Sequence, residues 1–343
     1  MTTRVLLLGL GFWGRNWFDV ISRSPGATLV GVAAAPSDLE SLGVGGHGSP
    51  FAYTDYREAI DTAEADGVVI VLPTALHLDA ALRAMARGLH VLSEKPLASN
   101  LEEARHLRDE ARRHPALTYM VNQNYRWRTH TQTLRDALDR DEIGAPFGLH
   151  LEFRQPEFLV GDRASLEMPL IQDMSIHHFD LIRYLTGSDG TRITARSFRP
   201  DWSMYTGLPA TEAIVELANG LVVGYSGTWA ARGRYTLWDG DIRITGPRGC
   251  LEVGANAQVR LYRDEGVGGE LWTGTAPNGA DGRLLDPISL SQDELDHSLA
   301  LFLSSVATGA SAPTGIEDNF HSFAMVAAAL ESARTGRTVA VER

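Results

Sequence analysis

The sequence predicts two domains. The first is an α/β domain with a parallel sheet covered on both faces. The second is an α+β domain with a large, mostly antiparallel open sheet. Three observations carry this reading. A chain of 343 residues has the length of about two domains at roughly 150 residues each. Its amino-terminal third alternates short, wholly apolar runs with stretches of helical spacing, the pattern of a sheet buried on both sides. From Phe147 onward the pattern changes to alternation at period two, as in strands with one buried and one exposed face.

The elements follow in order. Val5–Leu8 reads as a buried strand, and Gly14–Ser22 as a helix stopped near Pro25 and Gly26. Thr28–Ala33 is a second strand, and the apolar run Val68–Leu72, ended by Pro73, is another. Ala75–Arg87 has helical spacing through Leu78, Ala81, Leu82 and Met85 and stops at Gly88. His90–Leu92 is a short strand, and Leu101–Arg113 a charged-faced helix ended before Pro115. We draw the boundary so that residues 1–123 form the first domain and 124–343 the second. Strands are then expected at Phe147–Arg154, Arg192–Arg199, Ala210–Leu217, Leu221–Trp229, Asp241–Thr245 and Ala257–Tyr262, with Asn219-Gly220 as a hairpin signal. Helices near 291–308 and 317–334 close the chain, and the glycine-rich stretch Gly266–Gly282 reads as an excursion from the sheet.

Composition narrows the function. The chain is 44% hydrophobic and 22% charged, with a formal charge of −12 and a pI near 5.4. That excludes a general nucleic-acid or anionic-membrane surface. No apolar run approaches bilayer length, and Val5–Leu8 is too short for a signal core. The single cysteine, Cys250, excludes an intramolecular disulfide framework and fits a reducing compartment, so a cytoplasmic protein is expected. Lysine and arginine together number 31, yet Lys95 is the one lysine. Arginine stays charged, whereas lysine can exchange a proton, so a lysine kept against that bias is a candidate for chemistry.

Gly9-Leu10-Gly11-Phe12-Trp13-Gly14 fits G-x-G-x-x-G after a strand and before a helix, the context that makes the motif informative. Gly9 permits the tight turn, Gly11 admits backbone close to a pyrophosphate, and Gly14 lets helix and strand pack. The N–H groups of Phe12 and Trp13 belong to a helix start, which favours phosphate. This is the arrangement of a Rossmann dinucleotide site. The acid expected at the tip of the second strand, which would hold the ribose diol of NAD, is missing: the strand ends Ala33-Ala34-Ala35-Pro36-Ser37, and Asp38 comes late. Ser37 can bond a phosphate or a hydroxyl. NAD and NADP both stay open, with the missing acid leaning towards NADP.

Lys95 stands in Ser93-Glu94-Lys95-Pro96, just past a strand, where ligands of open parallel sheets bind. Glu94 can pair with it or orient it. Asp173 and His177 stand four apart in Asp173-Met174-Ser175-Ile176-His177-His178-Phe179-Asp180. On a helix they share a face, with Ile176 and Phe179 towards the core. A cap with a packed histidine and a metal pair are the other readings, but no third ligand is evident, and no metal is expected.

In this order, the glycine turn, Leu72-Pro73-Thr74 with His77, Glu94-Lys95-Pro96 and Asp173-x-x-x-His177 resemble the Gfo/Idh/MocA family of NAD(P)-dependent oxidoreductases. The likeness extends to Asn124-Tyr125-Arg126-Trp127, Glu142-Ile143-Gly144 and Glu331-Ser332-Ala333-Arg334-Thr335-Gly336-Arg337. It implies a catalytic trio of Lys95, Asp173 and His177. It also implies a cofactor site that includes Gly9, Gly11, Phe12, Trp13, Gly14, Ser37, Pro73, Thr74, His77, Glu94 and Lys95. Substrate contacts are implied for Lys95, Asn124, Arg126, Asp173 and His177, although Arg126 reads equally as a structural ion pair. The implied reaction moves a hydride between nicotinamide and a hydroxyl or carbonyl carbon of a sugar, sugar derivative or cyclic polyol. Which of Lys95 and His177 is the main acid/base stays open. A homodimer or homotetramer through the second domain's sheet is also implied. Two rival readings are an NAD-dependent glycoside-cleaving enzyme working by oxidation and elimination, and a non-catalytic dinucleotide sensor. The sequence departs from the family pattern at Met168-Pro169-Leu170-Ile171-Gln172, where glycines often precede the aspartate, so borrowed substrate identities are in doubt.

Overall fold

The computed structural model describes residues 2–44, 51–263, 282–292 and 294–343; the glycine-rich stretch 266–281 lies outside them. The chain divides into two compact units. One comprises Met1–Asn124 with Ser291–Phe323, the other Tyr125–Leu290 with Ala324–Arg343.

The first unit begins β1 (Thr3–Leu8), α1 (Phe12–Arg23), β2 (Ala27–Ala33), α2 (Pro36–Ser41), β3 (Ala52–Tyr53), α3 (Tyr56–Thr62) and β4 (Gly67–Ile70). It continues α4 (His77–Ala86), β5 (His90–Ser93), α5 (Leu101–Arg113) and β6 (Tyr119–Val121). The described strands form a six-stranded sheet in the order β3-β2-β1-β4-β5-β6, parallel throughout. β1 and β4 are wholly apolar apart from their first residues and a glycine because both of their faces are covered: Val5 to Leu8 and Val68 to Ile70 are fully buried. Helix starts are set by local side chains. Asp55 accepts from the Arg57 N–H at 2.8 Å. Asn100 accepts from the Glu103 N–H at 3.0 Å, while Glu103 reaches back to the Ser99 N–H at 3.0 Å, a reciprocal cap.

The chain returns to this unit late. α8 (Glu294–Thr308) inserts Leu299, Phe302 and Leu303 into the same core as Val5, Leu7, Trp17 and Ile21. Arg23 and Asp296 form an ion pair on the adjoining surface. A single boundary at 123/124 cannot express this. The apolar stripe of α8 says that it must be buried, but not against which sheet.

The second unit holds α6 (Thr129–Asp139), β7 (Gly148–Arg154), α7 (Ser175–Thr186), β8 (Gly190–Phe198), β9 (Ala210–Leu217), β10 (Val222–Thr228) and β11 (Asp241–Gly246). β12 (Gly249–Val253), β13 (Val259–Arg263), β14 (Arg283–Leu284) and β15 (Val339–Ala340) complete its described strands. α9 (Ile316–Thr335) is cut by the division after Phe323. The described sheet has nine strands in the order β14-β13-β12-β11-β7-β10-β9-β8-β15, antiparallel except for β7 against β10. Its register explains the period-two sequence. Ile193, Val215, Val223, Leu149, Ile244, Leu251 and Leu261 line up as one row across seven strands, and all are buried. The next row, Thr194, Ile214, Gly224, His150, Arg243, Glu252 and Arg260, points to the opposite face. α7 packs on the apolar face, where Phe179 meets Tyr225 with ring centroids 5.2 Å apart.

Several elements were not foreseen. β3, β14 and β15 are two-residue edge pairings, too short to leave a pattern. α6 starts Thr-His-Thr-Gln-Thr, poor helix formers, and its stability comes from burying Leu134 and Ala137.

Candidate functional site

In the first unit the candidates collect where the parallel strands end. Gly9 follows β1, Ala34 to Ser37 follow β2, Val71 to Thr74 follow β4, and Glu94 and Lys95 follow β5. Backbone bonds carry the sheet pairing into these turns: Gly9 N–H to Ala33 O at 2.8 Å, Val71 N–H to Leu8 O at 2.7 Å, Glu94 N–H to Ile70 O at 2.8 Å.

The glycine turn has the shape that its spacing implies. Gly9 has φ +101°, and a Cβ there would lie 2.4 Å from Val71 O; one on Gly14 would lie 2.2 Å from Gly9 O. Neither position tolerates a side chain. Gly11 differs: a Cβ there meets nothing within 4 Å, so its backbone faces open space. Gly11 is also the N-cap of α1 and no side chain caps the helix, which leaves the first N–H groups for an anion. Phe12 and Trp13 flank the turn with exposed rings in an edge-to-face pair, centroids 5.4 Å apart. These residues fit a dinucleotide pyrophosphate.

Past β2, Ser37 is exposed. The basic group there comes from α1: Arg15 Nη2 donates to Asp38 Oδ1 at 3.1 Å and to Ser41 Oγ at 2.8 Å. Sequence reasoning missed Arg15, although it directly follows the third glycine of the motif.

Glu94 is a tie rather than a free base. Its Oε1 accepts from the Trp17 indole N–H at 2.7 Å and the Asn122 amide at 2.8 Å. Its Oε2 accepts from the Lys95 backbone N–H at 3.2 Å. Three donors fix the turn that presents Lys95, which is half-buried. His77 is a second clamp, wholly buried, with Nε2 2.9 Å from Leu72 O and Nδ1 2.9 Å from Pro96 O. It joins the loop after β4 to the loop after β5, and burial holds its pKa below the ordinary value. Thr74 is half-buried and Pro73 exposed on the first of these loops. Asn124, at the end of this unit, donates from Nδ2 to Glu294 Oε2.

In the second unit, Asp173 is not in the α-helix that its spacing suggests. It lies in a π-turn, Leu170–Met174, that runs into α7 at Ser175. This turn overlaps the Met-Pro-Leu-Ile-Gln segment that departs from the family pattern, sharing Leu170, Ile171 and Gln172, and π-turns recur at functional sites. Arg163, from a 3-10 turn at Gly161–Ser165, donates to Asp173 from Nε at 2.9 Å and from Nη2 at 2.5 Å. His177 is in α7, buried, and stacked on Tyr125 with centroids 4.2 Å apart and planes 19° apart. Ile176 and Phe179 are buried, as their helical positions suggest. Arg126 pairs with Asp180 through Nε and Nη2, each at 2.6 Å, with both side chains almost wholly buried. Of the two readings open for Arg126, this is the structural ion pair. Arg163 and Tyr125 carried no signal from spacing. Among the described residues no group of three or more His, Cys, Asp or Glu side chains could hold a metal, and no helix is long and apolar enough to cross a membrane.

Comparison with known proteins gives the family and the fold. Residues 3–123 match the model described as "Oxidoreductase family, NAD-binding Rossmann fold", and residues 131–252 match the GFO/IDH/MocA C-terminal domain. D-apiose dehydrogenase of Paraburkholderia graminis is 25% identical over 97% of this chain and 88% of its own length. Inositol 2-dehydrogenase of Rhizobium meliloti is 32% identical over 57% of this chain and 58% of its own. Among solved structures, an oxidoreductase from Agrobacterium radiobacter in complex with NAD+, L-tartaric acid and magnesium superposes with a TM-score of 0.86 at 23% identity, covering 99% of both chains.

Proposed function

The chain belongs to the GFO/IDH/MocA family of NAD-binding oxidoreductases, and from that premise we propose that it moves a hydride between a nicotinamide dinucleotide and the hydroxyl-bearing carbon of a sugar, sugar derivative or cyclic polyol. The observation that carries this is the open backbone of Gly11 at an uncapped helix start, on the same sheet edge as the one lysine of the chain. The relatives named for D-apiose and inositol support the substrate class.

A bound nicotinamide would supply the hydride acceptor or donor. The protein's part is to hold the dinucleotide and handle the hydroxyl proton. Gly9, Gly11 and Gly14, with the N–H groups of Phe12 and Trp13, hold the pyrophosphate. Pro73 and Thr74 line the nicotinamide side, and His77 and Glu94 fix the loops around it. Lys95 and His177 bond the reacting oxygen, one of them exchanging its proton and the other stabilising developing charge. Asp173 orients them. Asn124 and Arg126, held by Glu294 and Asp180, support the site.

For the cofactor we favour NADP, with Arg15 as the group that takes the 2′-phosphate by leaving Asp38. The NAD+ complex of the Agrobacterium radiobacter protein is the counterweight. We further propose a homodimer or homotetramer through the outer face of the nine-stranded sheet. That face exposes Ile214 and Val222 beside a cavity of about 440 Å³ lined by His150, Glu152, Arg154, Asp241 and Arg243. We keep the cytoplasm as the compartment, supported by the presence of a single cysteine, Cys250. The deciding experiment offers myo-inositol, D-apiose and a panel of aldoses and polyols with NAD+ and with NADP+, following reduced nicotinamide by absorbance. Turnover of one sugar or polyol is expected; binding of both cofactors without turnover of any would overturn the enzymatic reading.

A further inference from the structure

Tyr125 lies between two partners. His177 stacks on one side, ring centroids 4.2 Å apart and planes 19° apart. The Arg128 guanidinium carbon stands 3.6 Å from the same ring centroid. Two contacts this short cannot share one face of a phenol ring, so the tyrosine is sandwiched. Arg128 is held in turn: its Nη1 lies 3.1 Å from Oδ1 of Asp239, a carboxylate with no exposed surface. The other oxygen of Asp239 bonds His130 Nε2. The arginine therefore has a fixed place, and the tyrosine cannot tilt without losing both contacts.

The same turn is anchored once more. The 3-10 turn Asn124–Trp127 is tied to α7 by Arg126 and Asp180, one residue along from Tyr125 and three along from His177. The backbone carrying the tyrosine and the backbone carrying the histidine are thus locked together beside the stack. An imidazole that exchanges a proton with one substrate oxygen must present one nitrogen in one direction, and small misplacement costs about a hundredfold in rate.

We propose that Tyr125 and Arg128 are the positioning residues of His177: the phenol ring sets the plane of the imidazole, and the guanidinium behind it, braced by Asp239, keeps the phenol in place. This rests on the reading of His177 as a proton-handling group. Its chemistry needs only the face of an aromatic ring, so phenylalanine serves and an aliphatic side chain does not.

The test compares wild type with H177N, Y125F, Y125L and R128Q. Proton NMR of the histidine ring signals, with His177 assigned by its loss in H177N, reads the stack directly. A ring at this distance shifts the His177 signals upfield in wild type and Y125F, and the shift disappears in Y125L. R128Q, which keeps the aromatic ring, shrinks or broadens it. Turnover is read with myo-inositol and D-apiose as probes, and affinity for NADP+ and NAD+ by fluorescence. Y125L is expected to lower kcat about tenfold to a hundredfold with KM and cofactor affinity within about twofold, and Y125F to restore it. An unchanged His177 spectrum in Y125L and R128Q overturns the proposal, whichever substrate the enzyme takes. So does a Y125L enzyme as fast as wild type when H177N is slow. Full turnover by H177N would instead refute the role of His177 itself.

Discussion

Arg163 holds Asp173 by two parallel bonds, from Nε at 2.9 Å and from Nη2 at 2.5 Å. The carboxylate is nearly buried while half of the arginine side chain is exposed. Paired bonds of this kind fix the plane of a carboxylate. Replacing Arg163 with methionine should therefore leave Asp173 loose. A charge-assisted hydrogen bond contributes about 1.5–3 kcal/mol, so kcat/KM should fall about tenfold to a hundredfold. Lysine at 163 should recover only part, because it cannot make the paired bonds. Affinity for the cofactor should not move. Equal kcat/KM in the methionine variant would remove Arg163 from the site.

Lys95 is the one lysine of the chain, on a turn that Glu94 ties to Trp17 and Asn122. Lys95→Arg keeps the positive charge and loses proton exchange. We expect turnover to drop about a hundredfold or more, in line with general acid–base catalysis, with the Kd for NADP+ or NAD+ preserved. Amine-selective labelling can react only at Lys95 and the amino terminus. Cofactor with substrate should protect Lys95, and equal labelling in their presence and absence would speak against its place in the site.

The proposed NADP preference rests on Arg15 exchanging its bond to Asp38 for a 2′-phosphate. Arg15→Ala should weaken NADPH about tenfold and leave NADH within about twofold, the size expected for one exposed charge-assisted contact. Asp38→Asn should have the opposite effect on NADPH, since it frees the guanidinium and removes a repelling charge. Titration of both variants with 2′,5′-ADP and with 5′-AMP isolates the phosphate. If neither variant changes the ratio of the two affinities, Arg15 is only a surface ion-pair partner.

His178 makes stability depend on pH. It is wholly buried, with Nε2 3.1 Å from Trp238 O and Nδ1 3.0 Å from the Tyr225 hydroxyl. Nε2–H donates to the carbonyl, and the phenol donates to Nδ1, which uses both nitrogens of a neutral ring. Burial pushes its pKa down to about 4 from an ordinary 6.5. The unfolded chain thus takes up a proton near 6.5 and the folded chain only near 4. Stability is present in full above 6.5 and is lost as pH falls from there towards 4, by an amount on the order of 3 kcal/mol. His77, also lowered by burial, adds a loss of the same sign. Urea unfolding at pH 7, 6, 5 and 4 should show this slope, and the His178 ring signal should stay neutral by NMR at pH 5. Titration of that signal near 6.5 would contradict it.

Legibility from sequence followed the reach of each interaction. The strand–glycine turn–helix unit was readable because its parts are contiguous: a buried run, a turn that rejects a Cβ at Gly9 and Gly14, and an open Gly11. The second sheet was readable because period-two alternation records one buried face, although not which strands are neighbours. β7 lies parallel to β10 across a long stretch of chain, and nothing in either strand announces that pairing. α8 was visible as a helix, yet its burial against Trp17 and Ile21 depends on shape rather than pattern.

By itself the sequence determined the class of fold, the dinucleotide turn and the candidates Lys95, Asp173 and His177. Each of these is written in residue types at short spacing, where backbone sterics and local hydrogen bonding act. Only the tertiary structure decided what holds them: Trp17 and Asn122 on Glu94, Arg163 on Asp173, Tyr125 with Arg128 behind His177, Asp180 on Arg126, and Arg15 beside Asp38. Those partners come from 10 to 77 residues away in the pairs Asp173–Arg163 and Glu94–Trp17. A charge or a ring has no periodicity that names its partner, and its position follows only once packing of the apolar faces has brought the elements together.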